Sequence, residues 1–175
     1  MGIPTLITTN TEAGDADSIF TMSGAYDEYL FVFTNVNPAT DNVQFSFNVS
    51  KDDGSNYGIV KTGPYFIGTN NESDSGSLAY STAYDVTNST NAAILMHGQG
   101  NGADECLAGT LNFFTPYNTT YVKGYYSRIT GYGSDNRAND VYTAGYVEDA
   151  ATIDRIRFQF SSGNFDGVIT QFGIK

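Results

Sequence analysis

The chain has 175 residues and a mass of 18.9 kDa, with 14% aromatic and only 15% charged residues. Its 8 Lys+Arg against 19 Asp+Glu give a formal charge of −11, which excludes nucleic-acid binding through phosphates because that needs a positive surface. The aromatic content excludes a disordered chain, and the sequence has no apolar run of about 18 residues from which to build a membrane helix.

The first stretch, residues 1–17, is polar apart from Ile3, Leu6 and Ile7. It reads as a short N-terminal arm whose three aliphatic side chains anchor it to something else. Residues 18–175 then read as a single β-sandwich domain. From Glu28, EYLFVFTNV is apolar on both faces, as in a buried central strand or one with a face turned to a partner. After the turn NPATDN, VQFSFNVS alternates cleanly: Val43, Phe45, Phe47 and Val49 point one way, Gln44, Ser46, Asn48 and Ser50 the other.

KDDGSN is a loop, and YGIVKT and PYFIGT supply two short β segments. Between Thr69 and Gly109 the pattern weakens, and the apolar piece AAILMH is compatible with one helical turn over 91–96. Strong β pattern returns in AGTLNFFT, TTYVKGYYSRIT, VYTAGYV, IDRIRFQF and GVITQFGI. The count is roughly eight to ten strands at spacings of about 8 to 12 residues, which predicts an all-β fold, an antiparallel β-sandwich of jelly-roll type. Phe45, Phe47, Phe113, Ile156, Phe158 and Phe160 are its expected core.

Few residues point to chemistry. His97 is the single histidine and Cys106 the single cysteine, so neither a histidine metal site nor an internal disulfide can be assembled. His97 reads as a residue of an exposed Gly-rich loop and Cys106 as a half-buried thiol. No nucleophile elbow and no phosphate-binding loop are present. The acids sit mostly in turns, where Asp and Asn bond their own backbone. KDDGSN and GSDNRAND are the two loops with the oxygen ligands calcium takes, yet neither has the EF-hand spacing, so no cofactor is expected. Tyrosines concentrate toward the C-terminal half, and Tyr117, Tyr121 and Tyr132 are candidates for surface contact with sugars or protein.

The string EYLFVFTNVNPATDNVQFSFNVSKDDGSNY resembles small virion structural proteins of tailed phages, especially marine ones. LAGTLNFFTPYNTTYVKGYYS follows in the same order, and IRFQFSSGNFDGVITQFGIK is similar to that family's closing SSGNI-x-x-G-x-I-x-L-Y-G segment. The likeness runs from about Tyr26 to Lys175. It departs at Asn37, where the family has His before the Pro, and at Gln171-Phe172 in place of Leu-Tyr.

The resemblance implies a jelly-roll-like fold in a virion and supplies no catalytic residues. The expected role is a non-enzymatic capsid decoration or cement protein, made in the host cytoplasm and partnered by virion proteins such as the major capsid protein. A homo-oligomer, a trimer, is expected because the second face of EYLFVFTNV needs cover. The alternative is a tail-fibre or receptor-binding domain that recognises host surface glycans. Neither reading involves nucleic acid or membrane.

Overall fold

The computed structural model describes residues 2–175; Met1, the first residue of the expected arm, lies outside them. Every regular element is a β-strand, and all ladders are antiparallel. Four strands come first: β1 (Thr5–Asp15), β2 (Asp17–Thr21), β3 (Glu28–Pro38) and β4 (Val43–Ser50). An insertion follows, formed by β5 (Lys61–Gly63), β6 (Tyr65–Asn71), β7 (Gly76–Tyr80) and β8 (Val86–Ser89). After β9 (Ala93–Gln99) and β10 (Leu107–Phe114), a second insertion holds β11 (Lys123–Gly133) and β12 (Arg137–Val147), and β13 (Arg155–Phe160) and β14 (Phe165–Ile174) complete the chain.

Without the insertions, one layer runs β1-β14-β3-β10 and the other β2-β13-β4-β9. The insertions widen only the first layer, where β11 and β12 follow β10 and β12 carries both β6-β7 and β5-β8. One pairing, Gly133 with Gln99, ties the widened layer to the edge of the other.

Phenylalanines fill the space between the layers. The ring of Phe158 on β13 lies 5.1 Å from Phe31 and 5.0 Å from Phe33 on the facing layer, and 6.1 Å from both Phe20 and Phe45 on its own. Most of these contacts are edge-to-face, the arrangement that ring quadrupoles favour. All six expected core residues are buried.

Other expectations change. VQFSFNVS is buried on both faces rather than one. The chain after β4 folds back over it, with Lys61 Nζ donating to Asn48 Oδ1 at 2.6 Å and Ser50 Oγ donating to Asp52 at 2.7 Å. The stretch read as an arm is edge strand β1, paired with β14 along its length with irregularities at Ile7 and Gly14. Its open edge leaves Thr and Asn where an inner strand would show apolar alternation. AAILMH belongs to β9 and makes no helical turn, since an apolar run this short fits strand and helix equally. Fourteen strands replace eight to ten, because β1 and β2 precede the region that reads as strand and β7 and β8 are too short to carry a pattern.

Phe158→Ala is expected to destabilise the fold by about 3–5 kcal/mol, the usual cost of emptying a phenylalanine site in a close-packed core. Urea denaturation followed by circular dichroism measures it, and a loss under about 1 kcal/mol would remove Phe158 from its central place.

Candidate binding surface

The outward residues of the widened layer form a continuous face, because each buried position on a strand is followed by one that points away. Register places Arg128 of β11 opposite Tyr142 of β12, Tyr142 opposite Phe66 of β6, and Phe66 opposite Tyr80 of β7. The two outer pairs of this row are in contact. Arg128 Cζ sits 4.7 Å from the centre of the Tyr142 ring, and the rings of Phe66 and Tyr80 are 5.3 Å apart. Arg128 also donates to both carboxylate oxygens of Asp140, at 3.1 and 2.8 Å, and Tyr142 Oη donates to the same carboxylate at 3.1 Å. Hydrogen bonding from Arg128 holds Asp140 below its ordinary carboxyl value, so the pair carries two opposite charges that cancel.

Beside this ladder the face is concave, with a floor of small residues: Ala108, Gly109, Thr130 and Ala138. Gly109, in register with the buried Phe33 and Ile129, has φ +157°, and a Cβ there would lie 2.3 Å from the Arg128 carbonyl oxygen, so this position presents only backbone to the trough. At one end Tyr132, Asn136, Asn70, Asn71 and Cys106 border a hollow of about 530 Å³. At the other, Phe66, Tyr126 and Tyr142 border one of about 360 Å³. Smaller hollows at Thr130, Asp140 and Arg128 join them into one trough. Between Tyr126 and Tyr132 the strand covers about 20 Å.

Of the residues expected to make surface contacts, Tyr132 lines this trough and donates from Oη to Asn136 Oδ1 at 3.3 Å. Tyr117 and Tyr121 sit in the β10–β11 connection, off the far end of β11, so the three tyrosines do not form one site. Ile3, Leu6 and Ile7 are all exposed at the opposite edge of the layer, Ile3 at 88% and Leu6 at 59%. Leu6 pairs with Phe172 of β14, and Phe172 with Leu30 of β3, giving an apolar row in which Leu6 is exposed and Phe172 and Leu30 are half-buried.

His97 is not in an exposed loop. It lies on β9, stacked on Tyr84 with ring centres 4.0 Å apart, and its Nδ1 is 2.9 Å from the Tyr65 hydroxyl. Burial lowers its pKa, leaving it neutral at pH 7. Cys106 is half-buried as expected. The carboxylates of the two acidic loops already have partners. Asp53 pairs with Arg155, Asp135 with Arg137 at 3.2 Å, and Asp140 with Arg128. Among the described residues, no group of three or more His, Cys, Asp or Glu is placed to hold a metal ion. No family model and no curated protein matches the chain.

Two fully buried lysines were not legible in the sequence. Lys123 Nζ lies 2.6–3.0 Å from the carbonyl oxygens of Asn118, Tyr121, Asp149 and Ala150, which share its three N–H donors, drawing two loops together. Lys61 has only Asn48 Oδ1 and the Ile59 carbonyl, and desolvation lowers its pKa from 10.5 to about 8.

Below pH 8 the folded and unfolded chains both hold the Lys61 proton, and the fold bears the cost of a buried cation. Between about pH 8 and 10.5 only the unfolded chain holds it, so stability rises with pH. Burial raises Tyr65 and Tyr125, which turns the slope downward above the ordinary tyrosine value of 10. Urea midpoints at pH 7 to 10 are expected to climb, with a contribution of at most about 3 kcal/mol from Lys61. Lys61→Met should flatten the climb, and an unchanged slope in that variant would show that other groups cause it.

Proposed function

We propose that this chain is a non-enzymatic structural protein of a tailed-phage virion, a capsid decoration protein displayed as a homotrimer on the particle. The strand order supports the reading. Numbered without the insertions, the two layers run 1-8-3-6 and 2-7-4-5, which is how a doubly wound Greek key forms a jelly roll. The sequence resemblance to phage virion proteins points the same way. His97, the single histidine, is occupied by Tyr65 and Tyr84, which suits a role without catalysis.

The observation that carries the proposal is the β1 side of the widened layer. Leu6, Phe172 and Leu30 form one outward row, and Val32 lies in the next. β1 is 11 residues long and carries no charge from Thr5 to Thr11. The neutral run Thr5–Thr11 of this edge, interrupted at Ile7, is a template for further pairing, since charges enter only at Glu12 and Asp15. A capsid surface or a neighbouring copy would cover both the row and the edge. The net charge of −11 keeps the exposed remainder soluble, and neither nucleic acid nor membrane enters the reading.

Because β1 is part of the sheet, deleting it would uncover β14, so point changes at exposed positions make the cleaner test. Wild-type protein is expected to rebind phage particles stripped of it, to a level on the order of hundreds of copies, and to scatter light as a trimer. Leu6→Asp should bind at least about tenfold more weakly, equivalent to 1.4 kcal/mol, with an unchanged circular dichroism spectrum. Wild-type protein that binds tails or host cells and never capsids would overturn the assignment.

A further inference from the structure

The trough over β11 and β12 is a different surface from the β1 edge, and nothing in the decoration role uses it. We propose that it is a binding site for a neutral, extended, β-1,4-linked oligosaccharide.

Three features select that ligand. The first is charge. The overall charge of −11 repels polyanions at a distance, and the charged pair at the middle of the trough, Arg128 with Asp140, is internally neutralised in a bidentate geometry. The one further charge on the lining, Glu72 at the Asn70–Asn71 end, is negative, so it repels a polyanion and leaves a neutral chain unaffected. A polyanion would meet an arginine whose carboxylate partner is already in place.

The second is the mixture of groups. Sugar rings in the gluco configuration present axial C–H bonds on their faces and hydroxyls around their rims. They need flat apolar platforms flanked by planar polar groups. Phe66 and Tyr126 provide platforms at one end, beside Tyr142, one face of which is taken by Arg128, and Tyr132 provides one at the other. Between and beside them lie the Arg128–Asp140 pair and the amides of Asn70, Asn71 and Asn136. The Nη1 end of Arg128 makes no hydrogen bond within the protein among the described residues, which leaves a donor for a hydroxyl.

The third is shape. Two long paired strands, each 11 residues, make an extended path of about 20 Å from Tyr126 to Tyr132, with the gentle twist of any antiparallel pair. A β-1,4-linked chain is extended, and each ring is turned over relative to the last, so both of its faces meet a platform with C–H bonds. An α-1,4-linked chain coils away from an extended floor. The floor is low because its outward residues Ala108, Thr130 and Ala138 are small and Gly68, opposite Asp140, has no side chain. An extended peptide would need open backbone edges for its hydrogen bonds, and β11 is paired with β10 and β12 throughout the path.

The site is tested on the full chain by isothermal titration with cellohexaose, chitohexaose, maltohexaose and a hexagalacturonate, independently of any phage particle. Cellohexaose or chitohexaose is expected to bind one to one, at least tenfold more tightly than maltohexaose. The first of these carries only hydroxyls and the second N-acetyl groups, so their order identifies the sugar. Tyr142→Ala should weaken binding at least tenfold. Thr130→Arg, which removes no packing and fills the middle of the trough, should abolish it. Tyr117→Ala, off the trough, should change it less than twofold, and circular dichroism checks the fold of each variant. The proposal is overturned if neither β-linked hexasaccharide binds at millimolar concentration, if the hexagalacturonate binds as well as they do, or if Thr130→Arg binds normally. It is also overturned if Tyr142→Ala dissociates an oligomer, which would make the trough an interface between copies. Failure of capsid attachment with sugar binding intact would count against the decoration role alone.

Discussion

The contact of Phe158 with Phe31 and Phe33 across the two layers is the constraint from which the rest of the architecture follows. Large rings packed edge to face at about 5 Å leave no room for sliding, so they fix which residues of β13 face which residues of β3. Once those strands are placed, their alternation sends Phe20, Phe45 and Phe165 into the same space and their polar neighbours out of it. The four-stranded layer β2-β13-β4-β9 is just wide enough to cover this cluster. The facing layer is wider, and the insertions are what widen it.

That mismatch in width explains the buried polar groups. Where β11, β12, β5 and β6 extend past β10, their inward side chains run beyond the phenylalanine cluster. Tyr65, Tyr125 and Lys61 occupy the extension, with His97 at its border. Here burial is closed with hydrogen bonds rather than apolar contact alone: Tyr65 to His97, Lys61 to Asn48, Thr143 to the Pro64 carbonyl. The Tyr125 hydroxyl, wedged against Gly63 and Gly145, has no hydrogen-bond partner among the described residues. A buried lysine with no carboxylate beside it weakens the fold at neutral pH, yet its directed bonds set where the insertion lies on β4.

What the sequence disclosed follows the same division. The strands at Val43 and Ile156 were legible because alternating Phe and polar residues admit one reading; burial alternates as read in the second, while the polar face of the first is covered by the chain that folds back over it. β1 was not, because a strand paired on one side only, with Thr and Asn along it, has the composition of a loop. His97 was misread because the glycines after it suggest a loop, while the apolar run before it carries the strand through. The trough was invisible for another reason. Arg128, Asp140, Tyr142 and Phe66 come from three strands, and only register brings them together. Tyr132 was singled out among many tyrosines, but nothing in its local sequence distinguished it from Tyr117 and Tyr121.

The outer face of the wide layer consequently has two halves of unlike chemistry. Toward β1 it is aliphatic, with Leu6, Phe172, Leu30 and Val32 beside an open edge; toward β7 it is aromatic and amide-rich over a trough of small residues. β10 separates them, and its outward residues are quiet. Asn112 is buried and bonded to Glu28, and Thr110 lies between Val32 and Arg128. An aliphatic row beside a free edge suits a flat protein partner, because main-chain pairing and apolar burial then act together. A trough with neutralised charge and ring platforms suits a narrow polymer. Since the two regions share no residue and lie on one face, a partner covering the first would have to stop near β10 to leave the second open, which places the contact at the sheet's edge rather than across its whole width.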